Sequence, residues 1–260
     1  MGKVLAICNR KGGCGKTMTT VSLGASLAAQ GKKVLVIDAD SQHSATVSFG
    51  VKEPDKLNIT LATVISDIIA ERDIDPMAGI ITHSEGVALL PANNGLAGIE
   101  IALAPQIGRE TVLRQYIDKV RGLFNYILID TAPTLDLLAV NALAAADSVI
   151  IPVAPKFLDA KGLELLLKSI AQIRRQINPQ LAIGGIIFTM VDNRTNFSKE
   201  IINVIEEAYG ENIRIFKDHI PHSVRAAEAS ATGKSIFTHD PNGKVAAAYA
   251  AFTGEVLNCG

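Results

Sequence analysis

Seven consecutive residues near the start of the chain, Lys11-Gly12-Gly13-Cys14-Gly15-Lys16-Thr17, are suited to holding a phosphate. Glycines let the backbone curl until successive N–H groups converge on an anion. In that setting Lys16 is expected to reach the β- and γ-phosphates, and the hydroxyl of Thr17 to ligate Mg²⁺. The usual G-x-x-x-x-G-K-T pattern opens on glycine where this chain has Arg10, and Lys11 adds a second cation to the loop. Two acidic stretches could complete such a site: Asp38-Ala39-Asp40-Ser41-Gln42, and Asp130 at the end of Tyr126-Ile127-Leu128-Ile129-Asp130. The second has the form of a Walker B segment, whose acid holds Mg²⁺, usually through a water, opposite the loop threonine. Taken singly, each stretch has an ordinary explanation. The loop could be a glycine-rich turn with an exposed lysine, Asp38 a turn cap, Asp40 a solvated acid, and the apolar run one that ends in Asp by chance. Their order in one chain is what carries the nucleotide reading.

Those residues need elements to position them. Lys3 to Cys8 is a short apolar run that reads as a buried strand, and Met18 to Gln30 as a packed helix ending at Gly31. Strand, glycine loop, helix is the context that gives a phosphate loop meaning, because the helix N-terminus adds partial positive charge. Val34 to Asp38, Val87 to Pro91, Tyr126 to Asp130, Ser148 to Val153 and Leu181 to Met190 read as further strands. In an open parallel sheet, ligands sit at the carboxyl ends of strands, so Asp38 and Asp40 should face the crevice that the glycine loop faces. Helices are expected around Leu61 to Ile69 with Thr60 as cap, at Ile99 to Leu103, Arg109 to Leu123, Leu135 to Ala145 and Ser198 to Tyr209. Leu163, Leu166, Leu167, Ile170 and Ile173 form a core-facing helical stripe, as do Val245, Ala248, Tyr249, Phe252 and Val256. Val51 to Asn58 reads as a loop.

With 260 residues and no repeat, low-complexity segment or linker, one α/β domain spanning 1–260 is expected. A hydrophobic fraction of 48% with 20% charged residues places the chain among globular proteins, and a net charge of -1 gives no hint of a polyanion partner. No stretch approaches the roughly 20 apolar residues of a membrane span and no leader precedes the first strand, so the cytoplasm is the expected compartment. Cys8, Cys14 and Cys259 are too few and too scattered for a disulfide framework or a zinc site. Cys14, beside loop amides and two lysines, could have a lowered pKa, although its place mainly needs a small side chain.

The chain resembles the ParA family of partition ATPases, within the deviant Walker A class of P-loop proteins, over nearly its whole length. The likeness lies in Lys11 to Thr17, Asp38 to Gln42 and Ile127 to Pro133. It continues in Phe188-Thr189-Met190-Val191-Asp192-Asn193-Arg194-Thr195-Asn196, then in Ile220-Pro221-His222-Ser223-Val224-Arg225 with Gly233-Lys234. The resemblance implies a three-layer P-loop fold with a mostly parallel twisted central sheet flanked by helices. It implies ATP and ADP with Mg²⁺ as cofactors, held by the loop from Lys11 to Met18 and by Pro221 and Ser223. Also implied are an ATP-dependent homodimer in which Lys11 reaches the partner's phosphates, non-specific double-stranded DNA through Arg194, Arg225 and Lys234, and a ParB-type centromere-binding partner. Localisation would be cytoplasmic, and nucleoid-associated with ATP bound. Several positions depart from the family's pattern. Met18 stands where threonine is common, which removes a hydroxyl near the α-phosphate but keeps the backbone N–H. Ser41, Thr131-Ala132 and His222-Ser223 replace the family's usual residues, and these changes leave the charged machinery intact.

Transfer of a phosphoryl group to water needs charge neutralisation and an oriented nucleophile. Lys16 and Lys11 are assigned to the phosphates and Thr17 and Asp130 to Mg²⁺. Asp40 is assigned to positioning the attacking water, since a lone carboxylate near phosphate charges is a poor base. Asp38 is read as a supporting partner of the loop. A MinD-like membrane-positioning ATPase would want a basic amphipathic terminal helix, and Val245 to Gly260 is nearly uncharged. An electron carrier of the nitrogenase-reductase type needs cluster-ligating cysteines, and none lies between Cys14 and Cys259. A weakly hydrolysing nucleotide-dependent scaffold, suggested by Met18, is opposed by the presence of Lys11, Asp40 and Asp130.

Overall fold

The computed structural model describes residues 1–192 and 194–258, with backbone alone for 157–161; Asn193 and Cys259, both noted above, lie outside the described residues. The first half contains β1 (Lys3–Ile7), α1 (Lys16–Ala29), β2 (Val34–Ala39), α2 (Ser44–Ser48), α3 (Leu61–Ile69), β3 (Ile81–Thr82), β4 (Val87–Leu90), α4 (Leu96–Leu103) and α5 (Val112–Val120). The second half contains β5 (Tyr126–Thr131), α6 (Leu137–Ala145), β6 (Ser148–Val153), α7 (Phe157–Gln176), β7 (Ala182–Phe188), α8 (Asn196–Tyr209), α9 (Val224–Thr232), α10 (Ile236–His239) and α11 (Lys244–Leu257).

The strands form one sheet in the order β3-β4-β2-β5-β1-β6-β7. Every pairing is parallel except β3 with β4. β2, β5 and β6 are buried along their whole length, as continuous Val/Ile/Leu runs must be when helices cover both faces of a parallel sheet. Side chains alternate between the two layers. Val4, Ala6, Cys8, Leu35 and Ile37 join a core built with α3 to α8, whereas Leu5, Ile7, Val34 and Val36 join one built with α1, α9, α10 and α11. The result is the expected three-layer arrangement, with β1 central between β5 and β6.

Expectation and structure differ mainly at boundaries. α1 begins at Lys16 rather than Met18 because left-handed Gly15 serves as its N-cap. α6 begins at Leu137, where Asp136 accepts the Ala139 N–H and fixes the start. Thr60 does cap α3, in a reciprocal box with Thr63. The segment Val51 to Asn58 contains a single 3₁₀ turn, Pro54–Lys56. Four short elements (α2, β3, α9 and α10) had no counterpart in the sequence pattern.

Candidate functional site

The loop between β1 and α1 is tied down on both sides by buried side chains. Asn9 Nδ2 donates to the Pro152 carbonyl on β6 at 2.6 Å, and its Oδ1 accepts the Lys11 N–H at 3.1 Å. Thr189, just past β7, donates its hydroxyl to the Cys14 carbonyl at 2.7 Å. Gly15 has φ +81°, so a side chain there would be strained, although an added Cβ would only reach van der Waals contact with Thr189 at 3.4 Å. Lys16, 7% exposed, donates its ammonium to the Lys11 carbonyl at 3.1 Å, and the Cys14 thiol donates to the same oxygen at 3.2 Å. Cys14 is thus a small buried loop residue. Burial pushes the Cys8 thiol up to about 11.

Two carboxylates stand side by side at the carboxyl ends of the central strands. Asp38 on β2 pairs in register with Asp130 on β5, and Asp130 with Ile7 on β1. Both acids are fully buried. Asp130 accepts hydroxyls from Thr17 at 2.8 Å and Thr20 at 2.9 Å. Asp38 accepts the Thr46 N–H and hydroxyl, each at 2.7 Å, and the Asp40 N–H at 3.2 Å. Burial holds both well above the ordinary carboxylate range, the Asp38 charge adds to the rise at Asp130, and the hydroxyl donors only partly offset it. Asp38 therefore supports the β2–α2 segment, not the glycine loop. Asp40, 7% exposed, accepts the Gln42 N–H at 2.9 Å.

A cavity of about 770 Å³ opens above these groups. Of the sequence-assigned residues, Gly12, Gly13, Gly15, Lys16, Thr17, Met18, Asp40, Pro221 and Ser223 line it, whereas Lys11, Cys14 and Asp130 do not. The opposite wall comes from α9, and Tyr249 of α11 closes the floor with its hydroxyl 3.2 Å from Thr19 Oγ1. Met18 rests its sulfur against the Ser22 hydroxyl at 3.4 Å. The basic candidates lie outside the cavity. Arg194 forms a bidentate pair with Asp192 at 2.9 Å, Arg225 sits 3.5 Å from Glu228, and Lys234 is exposed just past α9. Asn9, Thr20, Thr46 and Thr189 were not assigned from the sequence. A buried Thr or Asn becomes legible as a site residue only once its carbonyl or carboxylate partner is known.

The donor set of one hydroxyl and one carboxylate fits Mg²⁺, which binds through few protein groups and keeps waters and phosphate oxygens. Two adjacent buried carboxylates are also the electrostatic situation that a divalent cation relieves. Among the described residues there is no cluster of three or more His, Cys, Asp or Glu that could hold a metal alone, and no helix long and apolar enough to cross a membrane.

A family model described as an AAA domain matches residues 2–183. The chain is 39% identical over 257 residues to the sporulation initiation inhibitor protein Soj of Bacillus subtilis, covering 98% of each. It is 34% identical over 258 residues to the chromosome partitioning protein ParA of Caulobacter vibrioides, covering 98% of this chain and 94% of that one. Among solved structures, cobyrinic acid a,c-diamide synthase of Mycobacterium smegmatis, with bound ADP and magnesium, matches with TM-score 0.85 at 33% identity, covering 99% of this chain and 95% of that one. Sheet order, phosphate loop, strand-end acids and these full-length likenesses agree, and the chain belongs to the ParA/Soj family of P-loop ATPases.

Proposed function

We propose that the protein hydrolyses ATP to ADP and phosphate, dimerises when ATP is bound, and in that state binds DNA without sequence preference. With a ParB-type partner it would act in partitioning a chromosome, plasmid or other mobile element. The observation that carries this reading is the division of labour between the two loop lysines. Lys16 is buried in the cavity wall, whereas Lys11 lends its carbonyl to Lys16 and lines no part of its own cavity. A second cation in a loop already served by Lys16 suits a role at a second copy's phosphates.

In the hydrolytic step, the N-terminal amides of α1 and the Lys16 ammonium hold the β- and γ-phosphates. Thr17 and Asp130 would hold Mg²⁺, which when bound spreads the developing phosphate charge. Asp40, fixed by its own bond to the Gln42 N–H, orients water at the γ-phosphate. Lys11 from the partner copy supplies charge from the far side. The test is sedimentation with ATP, ADP and a non-hydrolysable analogue, alongside phosphate release. ATP-dependent dimers that Lys11→Ala abolishes support the proposal, and equal dimerisation of wild type and Lys11→Ala overturns the trans role.

A further inference from the structure

Helix α9 walls the nucleotide cavity through Ala226, Ala227, Ser230 and Ala231, yet Ala229 alone of its nine residues is buried. A helix this short is not self-supporting in water, and one buried methyl group anchors little. Its ends must fix it. At the start, Pro221 bridges to Val191, the His222 N–H donates to the Val191 carbonyl at 3.1 Å, and the Ser223 hydroxyl accepts the Arg225 N–H at 3.2 Å. At the finish, Gly233 caps the helix in the left-handed region with φ +68°. A Cβ there would meet Gly50 Cα at 2.5 Å, so the cap lies backbone-on-backbone against the turn that ends α2.

His83, between β3 and β4, completes this junction. Its Nδ1 accepts the Glu85 N–H at 3.2 Å, which leaves the ring proton on Nε2, and Nε2 donates to the Gly233 carbonyl at 3.2 Å. The Phe49 ring meets the His83 ring edge-on at 5.3 Å, and Glu85 Oε1 accepts the Ser235 N–H at 3.0 Å. At its other end α2 hangs from Asp38 through Thr46, and the segment leading into it places Asp40 and Gln42 in the cavity. Both ends of this path, from Asp40 through α2, Gly50 and Gly233 to α9, line the cavity.

We infer that His83 is a positioning residue for the nucleotide. By holding the Gly233 cap of α9 against α2, it makes the phosphate-facing segment and the α9 wall close on the ligand as one unit. This rests on the ATP reading above and is independent of DNA or a protein partner. The experiment compares wild type, His83→Ala and His83→Gln for AMPPNP affinity by calorimetry, for KM and kcat of ATP hydrolysis, and for hydrogen exchange of α9 with and without AMPPNP. His83→Ala should raise the AMPPNP Kd and the KM roughly two- to tenfold, the size of one hydrogen bond. It should keep kcat within about twofold and abolish the protection that AMPPNP gives α9, and His83→Gln, which retains an N–H donor, should recover most of both. Unchanged affinity and α9 protection in His83→Ala overturn the inference, as does a lowered melting temperature with unchanged affinity, which marks a purely structural role. Failure of wild type to bind AMPPNP overturns the ATP reading and the inference together, whereas normal wild-type binding with an indifferent His83→Ala overturns the inference alone.

Discussion

At the scale of single residues, the site places charges where each can do one task. Lys16 is buried and lines the cavity, so its loss would remove the charge proposed to hold the phosphates. Asp40 sits at the cavity edge, tied to its own loop. Lys16→Ala is therefore expected to fail at productive nucleotide binding. Asp40→Ala should still bind ATP but lose about 10²–10³ in turnover, the range for removing one preorganised group at the reacting centre. Equilibrium binding and phosphate release separate the two, and near-normal turnover in Asp40→Ala rejects the assignment. The buried acids give a second expectation. Burial and the neighbouring Asp38 raise the Asp130 carboxyl from 3.8 to about 7, so the folded state holds this proton more tightly than the unfolded chain does. Its contribution to stability is then full below about pH 4 and is lost as pH rises through about 7. Asp130→Asn, which cannot ionise, should gain in melting temperature relative to nucleotide- and Mg²⁺-free wild type as pH goes from 4 to 8, while losing Mg²⁺-dependent hydrolysis. A difference in melting temperature that stays flat across that range contradicts this account.

At the scale of elements, the loop is only as well placed as the strands that hold it. Thr189 reaches from the end of β7 to the Cys14 carbonyl, and both residues are buried. Thr189→Val keeps the shape but removes the hydroxyl that donates to that carbonyl, at a cost of about 0.5–1.5 kcal/mol, and should loosen nucleotide binding along with the loop. Thermal melts and nucleotide titration of the variant measure both effects. The central elements were legible in the sequence for a plain reason. Fully buried strands such as Ser148–Val153 must be uninterrupted apolar runs, and stripes such as Leu163, Leu166 and Ile170 must keep helical spacing to reach the core. α2 and α9 were not legible, because Ser44–Ser48 is only five residues, four of them poor helix formers, and α9 turns almost no side chain into the core. The signals that α9 did carry were local: Ser223 as N-cap, an alanine-rich run, and Gly233 as left-handed cap. β3, a two-residue antiparallel edge strand, is too short to show a period. The nucleotide loop and its acids could be read because their chemistry dictates residue types. The wall opposite could not, because small residues there serve shape alone.

At the scale of the whole molecule, a chain of net charge -1 has no overall attraction for DNA, so any contact must be local. The local cations are already engaged: Arg194 grips Asp192 with two 2.9 Å bonds, and Arg225 stands near Glu228. The Arg194 side chain is 88% exposed, and exposed pairs of this kind are worth only about 0–1 kcal/mol, so a phosphate that releases counterions can displace the carboxylate. The proposed dimer would double each such interaction and turn a weak one into a useful one through avidity. Arg194→Ala and Arg225→Ala should thus weaken binding to every duplex alike and flatten the log–log salt dependence by about 0.9 for each phosphate that is no longer neutralised. Asp192→Asn should do the reverse. It removes the competing carboxylate while leaving the guanidinium, so binding at a fixed salt concentration should tighten and the salt slope steepen. The measurement is a salt titration of duplex binding for the three variants and wild type, with ATP and with ADP. If Asp192→Asn binds no better than wild type while Arg194→Ala binds no worse, the loop after β7 does not touch DNA phosphate. If ATP and ADP give equal binding throughout, DNA affinity does not depend on the nucleotide-driven dimer.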